Sequence, residues 1–194
     1  MKKTLLGLLL LVATGSAFSQ ETKFGLKAGV NFANLSFSGD GESVSPSSLT
    51  SFHFQGYADF PVSPALSIQP GLGLSGKGAK EDEAKINLMY LDIPVNAVAK
   101  FPVSTLGKFF IGAGPYAGIK LSEKYSLDGE EAETEEDSFK SADFGLNFLG
   151  GLEINNGLTF NVGYGLGLAN VVKDSPDGYS VKNKVFTISV GFLF

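Results

Sequence analysis

The sequence predicts an all-β protein: a closed eight-stranded antiparallel up-and-down transmembrane β-barrel. Three observations carry this. From Thr22 onward the apolar residues recur with period two, so one face of each segment is apolar while the other carries Lys, Asp, Glu, Asn, Gln and Gly. The segments exceed the about 5–6 residues usual for soluble strands and reach the about 9–11 that cross a bilayer at a tilt. The connections between them alternate between short and longer, as the two ends of a membrane barrel require. A soluble barrel would keep its charges on the outer face; a membrane barrel turns the apolar face to lipid and the polar face to the lumen.

The elements follow in order. Residues 1–19 read as a secretory signal peptide: Lys2 and Lys3 precede the apolar run from Leu5 to Ala13, and Ala17 and Ser19 are small residues before a cut at Gln20. The barrel domain then occupies 20–194. Strand one has Phe24, Leu26, Ala28, Val30 and Phe32 on its apolar face. Strand two has Phe52, Phe54, Ala58 and Phe60, and strand three Leu66, Ile68, Leu72 and Leu74. Strand four runs from Met89 to Phe101 and strand five from Phe109 to Leu121. Strand six carries Phe144, Leu146, Phe148, Leu152 and Ile154; strand seven carries Leu158, Phe160, Val162, Tyr164, Leu166 and Leu168. The last has Phe186, Ile188, Val190, Phe192 and Phe194. Between them lie a long polar loop (37–50), a turn at Pro61–Pro64, a charged loop (78–85), a short link at Pro102–Gly107, a long acidic loop (122–138), an Asn155-Asn156-Gly157 hairpin turn and a loop at 173–181. This order puts both termini on the side of the short turns, the periplasmic side, with the longer loops outside.

Composition narrows the possibilities. The absence of Cys excludes disulfides and thiol chemistry. All 15 basic residues are Lys; loss of Lys2 and Lys3 takes the net charge from −5 to −7, which argues against nucleic-acid binding. Beyond the N-terminus no run of eighteen apolar residues offers a helical span.

A family resemblance accompanies the pattern. Phe24-Gly25-Leu26-Lys27-Ala28-Gly29-Val30-Asn31-Phe32 resembles the first strand of the PorT-like outer-membrane β-barrel family. Ile68-Gln69-Pro70-Gly71-Leu72 with Gly76-Lys77-Gly78-Ala79 is similar too, as are Tyr90-Leu91-Asp92-Ile93-Pro94 and Gly112-Ala113-Gly114-Pro115-Tyr116. The resemblance implies a small eight-stranded outer-membrane barrel without an agreed biochemical activity. The namesake's link to protein secretion is not carried over to this chain. The C-terminus is similar to that of outer-membrane barrels generally: Thr187, Phe192 and Phe194 match the polar–hydrophobic–aromatic signal read by the barrel-insertion machinery, with Ser189 where Gly is common.

The inward alternation places Lys27, Asn31, Gln55, Asp59, Gln69, Asp92, Asn96, Lys100, Lys120, Asp143, Asn147, Glu153 and Asn161 in the lumen. An eight-stranded lumen is just wide enough for side chains to fill. Buried charges need partners. We therefore expect a polar plug in which Lys27, Lys100 and Lys120 pair with Asp59, Asp92, Asp143 or Glu153. Pro94, mid-strand and inward, predicts a bulge or kink. Phe24, Phe60, Phe101, Phe109, Phe160 and Phe194 form one aromatic girdle, and Phe37, Phe52 and Phe139 the other.

Other motifs carry no chemistry. Gly71-x-Gly73-x-x-Gly76 lies within a strand, without the helix a dinucleotide site needs. His53, the only His, lies roughly 20 Å along its strand from Asp59 at about 3.3 Å per residue, too far for a catalytic pair. The acidic tract Asp128, Glu130, Glu131, Glu133, Glu135, Glu136 and Asp137 lacks calcium-loop order. It reads as a solvated loop, with divalent-ion bridging to lipid or a basic partner as the alternative. The expected function is a non-enzymatic outer-membrane barrel without cofactor, catalytic residues or metal, in a structural, adhesive or partner-binding role. Its partners are outer-membrane lipid, the insertion machinery and an unidentified envelope protein. The alternative is a transporter or narrow channel for small molecules.

Overall fold

The computed structural model describes residues 21–39, 42–44, 47–127, 130–132, 138–173 and 179–194; the signal-peptide segment lies outside them. The strands are β1 (Lys23–Gly39), β2 (Glu42–Val44), β3 (Leu49–Ser63), β4 (Leu66–Glu81), β5 (Ala84–Val103), β6 (Gly107–Leu127), β7 (Glu130–Ala132), β8 (Ala142–Ile154), β9 (Leu158–Gly167) and β10 (Ser180–Leu193). Eight of them form one antiparallel ring in the order β10-β9-β8-β6-β5-β4-β3-β1, closed by β1 against β10. The seam pairs Gly25 with Leu193 and continues in register to Ser38 with Ser180. β2 and β7 are short additions to the tips of β1 and β6.

Outward apolar side chains are exposed on every strand of the ring: Phe24 by 62%, Leu72 by 54%, Ile111 by 48% and Ile188 by 49%. Only lipid makes such a surface favourable, since a monomer in water rarely exposes so large a continuous apolar patch. The two ends of the described barrel, Glu21 and Phe194, lie at the end of the short turns Pro64-Ala65, Ser104–Leu106 and Asn155–Gly157. Gly157 holds the left-handed position of its turn (φ 93°), and its N–H closes the turn on the Ile154 carbonyl at 2.9 Å.

β1, β4, β5, β6 and β10 continue well beyond the segments that alternation marks, at the end opposite the short turns, here called the loop end. There the phase of polarity inverts. On β1 the outward series ends at Phe32 and gives way to Asn34 and Ser36, while the inward series changes from Lys27 and Asn31 to Ala33 and Leu35. On β10 the outward series below Phe186 becomes Lys184 and Lys182, and Val185 and Val181 turn inward. On β5, Ile86, Leu88 and Tyr90 follow the inward Asp92 and Asn96. These strands thus leave lipid for water, and their buried side switches from polar to apolar. Phe32 and Phe186, paired across the seam with ring centroids 6.2 Å apart, mark this boundary. The charged loop expected at 78–85 is instead a continuous hairpin, in which β4 and β5 pair to Glu81↔Ala84 and turn at Asp82-Glu83.

Two further expectations are corrected. Pro94 causes no register shift: it pairs with Tyr116 in line with its neighbours. The shift lies at Met89/Tyr90, where β6 accommodates Leu121 as an extra residue. Beyond it Glu123 and Tyr125 take the inward positions on β6. Phe139 is no girdle residue; it is buried (4% exposed) among Leu35, Ala79, Leu88, Tyr90, Val171 and Val181.

Inward glycines lie beneath aromatic rings of neighbouring strands. Tyr116 crosses Gly145, its register partner, so that a Cβ there would sit 2.5 Å from the ring and 2.2 Å from the Leu166 carbonyl. Tyr57 covers Gly25 and Phe110 covers Gly151 in the same way. The rings fill a lumen that eight side chains per layer could not share. Outward Gly56 differs: its Cβ would meet only Leu26, at 3.5 Å. Gly145→Ala is therefore expected to cost about 1–3 kcal/mol through overpacking, and Gly56→Ala to be near neutral. Urea titration of the two variants refolded in detergent micelles checks the contrast.

Candidate functional site

The lumen is filled in three tiers. At the terminal end Lys100 of β5 spans the barrel. Its Nζ donates to Asp59 of β3 at 2.7 Å and to Glu153 of β8 at 2.8 Å. Gln69 Nε2 donates to the other Asp59 oxygen at 2.9 Å. Buried Val98, Phe110 and Leu193 pack at the same end. Apolar residues therefore share the inward positions with charged ones at this end.

The middle tier is built on Asp143 of β8, which is fully buried. Its Oδ2 accepts from Lys77 Nζ of β4, from Tyr116 Oη of β6 and from Asn183 Nδ2 of β10, each at 3.0 Å. Lys77 also donates to Asp92 Oδ1 at 2.9 Å. Its ammonium lies 4.7 Å from the Tyr90 ring centroid and 4.3 Å from that of Tyr116. Two carboxylates and two aromatic faces thus enclose one cation. A neighbouring Asn31–His53 pair ties β1 to β3: His53 Nδ1 donates to Asn31 Oδ1 at 2.6 Å, and Asn31 Nδ2 donates to the Gly76 carbonyl at 2.9 Å. His53 and Asp59 belong to different clusters and form no catalytic pair.

A cavity of about 90 Å³ adjoins this tier, lined by Lys27, Gln55, Asp92, Asn96, Asn147, Asn161 and Thr187 among others. At about 10–15 Å³ of such space per water, it has room for several. Lys27 makes no ion pair among the described residues; its ammonium lies 5.9 Å from the Tyr57 ring centroid. Lys27 and Asp92 both line this cavity.

Lys120 corrects the expected pairing. It bonds none of the four acids named for it; its Nζ meets Glu123 and donates to the Phe139 carbonyl at 2.8 Å. Glu123 lies above Leu121, the last outward apolar residue of β6, and so outside the membrane band. It accepts from Tyr125 Oη at 2.8 Å and from the backbone N–H groups of Ser138 and Phe139 at 3.0 and 3.2 Å. Burial pushes the carboxyl up, but Lys120, Tyr125 and the two N–H donors outweigh burial and hold it below the usual carboxylate range. Glu123 thereby fastens the segment before β8 to β6, beside the apolar cluster that forms the third tier and covers the lumen at the loop end. Lys77 and Glu123 both escape a reading of the membrane band alone. Lys77 is separated from the alternating run by Gly76 and Gly78, and Glu123 lies past the bulge that inverts the phase of β6.

Of the C-terminal residues, Thr187 faces the cavity, while Phe192 and Phe194 are exposed on the outer wall, with ring centroids 5.2 Å apart. Gly71, Gly73 and Gly76 lie within β4 and precede no helix. Asp128 and residues 133–137, and the side chains of Glu130 and Glu131, lie outside the described residues. Among the described residues no acid or His cluster could hold a metal.

A ring of eight antiparallel strands with an apolar outer wall and a filled polar interior is the arrangement of a small outer-membrane barrel. The family model for the outer membrane protein beta-barrel domain matches residues 18–173. The chain belongs to this family. Its members are outer-membrane barrels, which places this chain in the outer membrane. Among solved structures it is similar to Neisserial surface protein A, at 16% identity and a TM-score of 0.53, over 90% of this chain and all of that one. Ail, the attachment invasion locus protein of Yersinia pestis, is similar at 14% identity and a TM-score of 0.46, with 90% and 100% coverage. AlkL in lipid bilayers is similar at 13% identity and a TM-score of 0.47, with 92% and 93% coverage. At these identities the likeness concerns the fold alone. No curated protein matches the chain in sequence.

Lys77→Met leaves Asp92 and Asp143 facing each other without a cation and is expected to cost about 3–5 kcal/mol of unfolding free energy. Adding Asp92→Asn and Asp143→Asn should restore most of it, measured by urea titration in micelles. Glu123 has a folded pKa below its ordinary 4.5. Its contribution is therefore complete above the ordinary value and is lost as pH falls through the folded one. Amide exchange at Ser138 and Phe139, corrected for intrinsic rates, should accelerate over that acid range in the native chain and lose this pH dependence in Glu123→Gln.

Proposed function

We propose that this protein is a sealed, non-enzymatic barrel with a structural, adhesive or partner-binding role, its termini in the periplasm and its loop end outside. The supporting observation is the filling of the lumen. Lys100 spans it at the terminal end, the Lys77–Asp143 cluster occupies the middle, and the apolar group around Leu35, Leu88, Tyr90 and Phe139 covers the loop end. Ions would have to break two charge clusters and a hydrophobic cap to pass, so the surface available to other molecules is the loop end itself. In this reading residues 1–19 direct export, and Thr187, Phe192 and Phe194 address the chain to the barrel-insertion machinery. Within the family, the Tyr90–Pro94 and Gly112–Tyr116 motifs associate it with the PorT-like barrels.

Planar-bilayer recording of the purified protein is expected to show no steady conductance; a stable open level would instead favour the narrow-channel reading. Orientation is tested separately, helped by the absence of native Cys. With a membrane-impermeant maleimide on intact cells, Glu83→Cys at the loop end should label at once. Thr105→Cys, in a terminal-end turn, should label only after the outer membrane is opened. The reverse pattern would overturn the orientation.

A further inference from the structure

We propose that Lys140, Lys173, Lys182 and Lys184 form a docking surface for the phosphate groups of outer-leaflet lipid headgroups. This rests on the orientation proposed above, which puts the loop end outside. The four residues come from three chain segments that the fold draws together. The Lys140 N–H bonds the Val171 carbonyl at 2.6 Å, and the Val171 N–H bonds the Val181 carbonyl at 2.9 Å. Lys173 follows Val171 by two residues, and its own N–H bonds the Ser138 carbonyl at 3.1 Å. With strands about 4.8 Å apart, the backbones of Lys140 and Lys182 lie within about 10 Å of each other. In sequence they are forty-two positions apart, and no linear motif announces the patch.

Their height is as specific as their grouping. Lys184 and Lys182 continue the outward face of β10 directly above Phe186, Ile188 and Val190, which are all exposed to lipid. Across the seam their partners are half-buried Asn34 and buried Ser36, both polar and on the same side of the Phe32–Phe186 boundary. At about 3.4 Å per residue the two lysines therefore leave the wall within about 14 Å of the last lipid-facing aromatic, the level of the headgroups. Lys140 and Lys173 are exposed beside them. None of the four makes an ion pair with a described residue. Of the other loop-end lysines, Lys80 and Lys85 differ: they face each other at the base of the Glu81–Ala84 hairpin tip, among acids.

Four ammonium groups at the loop end, none ion-paired to a described residue, match a closely spaced set of phosphates. Lys suits this role as a compact point charge on a flexible stem that reaches up from an apolar wall. The lipid-facing wall below holds the acyl chains of the same molecule, so headgroup and tail would be recognised together.

The test uses the full barrel refolded in zwitterionic micelles, with bound lipid counted by native mass spectrometry. The probes are a bisphosphorylated lipid A, the same lipid with both phosphates removed, and inorganic phosphate. The native protein should retain the phosphorylated lipid in preference to the dephosphorylated one, and inorganic phosphate at equal concentration should not displace it. Lys182→Gln with Lys184→Gln, and separately Lys140→Gln with Lys173→Gln, should each weaken retention by roughly fivefold per lysine, while Lys23→Gln with Lys108→Gln at the terminal end should not. Equal retention of both lipids, or equal losses in all three pairs, would overturn the proposal. Displacement by inorganic phosphate would show a site for the free anion instead. Because these measurements are made on isolated protein, they stand even if the maleimide labelling reverses the orientation. Should a variant not fold, the lipid comparison and its salt dependence in the native protein still decide.

Discussion

Lipid offers the wall of this protein no hydrogen-bond partner, so every N–H and C=O in the membrane band must be paired within the chain. The seam between β1 and β10 is where that requirement is met, from Gly25↔Leu193 to Ser38↔Ser180. Everything else depends on this closure. It makes the sheet a ring, it divides each strand into a lipid side and a lumen side, and with eight strands it confines the interior to a width that side chains alone fill.

A narrow lumen has its own physics. Each inward position competes for space with seven others at its height, so glycines accept aromatic rings: Gly145 beneath Tyr116, Gly25 beneath Tyr57. Each inward charge needs a partner, and the partners come from across the barrel rather than along the strand. Lys100 joins β5 to β3 and β8, and Asp143 joins β8 to β4, β6 and β10. The clusters cross-brace the ring in addition to its backbone ladder. At the loop end the constraint reverses. Once the strands leave lipid their outer faces meet water, and the interior becomes an ordinary apolar core around Leu35, Leu88 and Tyr90. Lys182 and Lys184 stand at that change of solvent, which is why their height carries meaning.

Much of this was legible because the side-chain period of a strand is two and the two solvents differ. The wall residues from Phe24 to Phe192, the short turns, and the inward placement of Lys27, Asp59, Lys100 and Asp143 all follow from alternation. What escaped did so for particular reasons. Lys77 stood next to Gly76 and Gly78, where a glycine-rich stretch hides the face of a strand. Glu123 lay beyond the Leu121 bulge, which shifts parity by one residue. Phe139 was aromatic and near a boundary, yet it sits in an irregular segment whose direction no period reveals. Pro94 suggested a bulge or kink, but the ladder shows no register shift at Pro94↔Tyr116.

The sequence by itself determined which faces meet lipid, how many strands close the ring and which end carries the short turns, because each is a local property repeated along the chain. Partner choice inside the lumen and the gathering of Lys140, Lys173 and Lys182 are not local. They depend on which strands face one another across the ring and on how far each is offset along its neighbour. Only the closed tertiary structure decides that Lys120 meets Glu123 while Lys77 meets Asp143, sixty-six positions away.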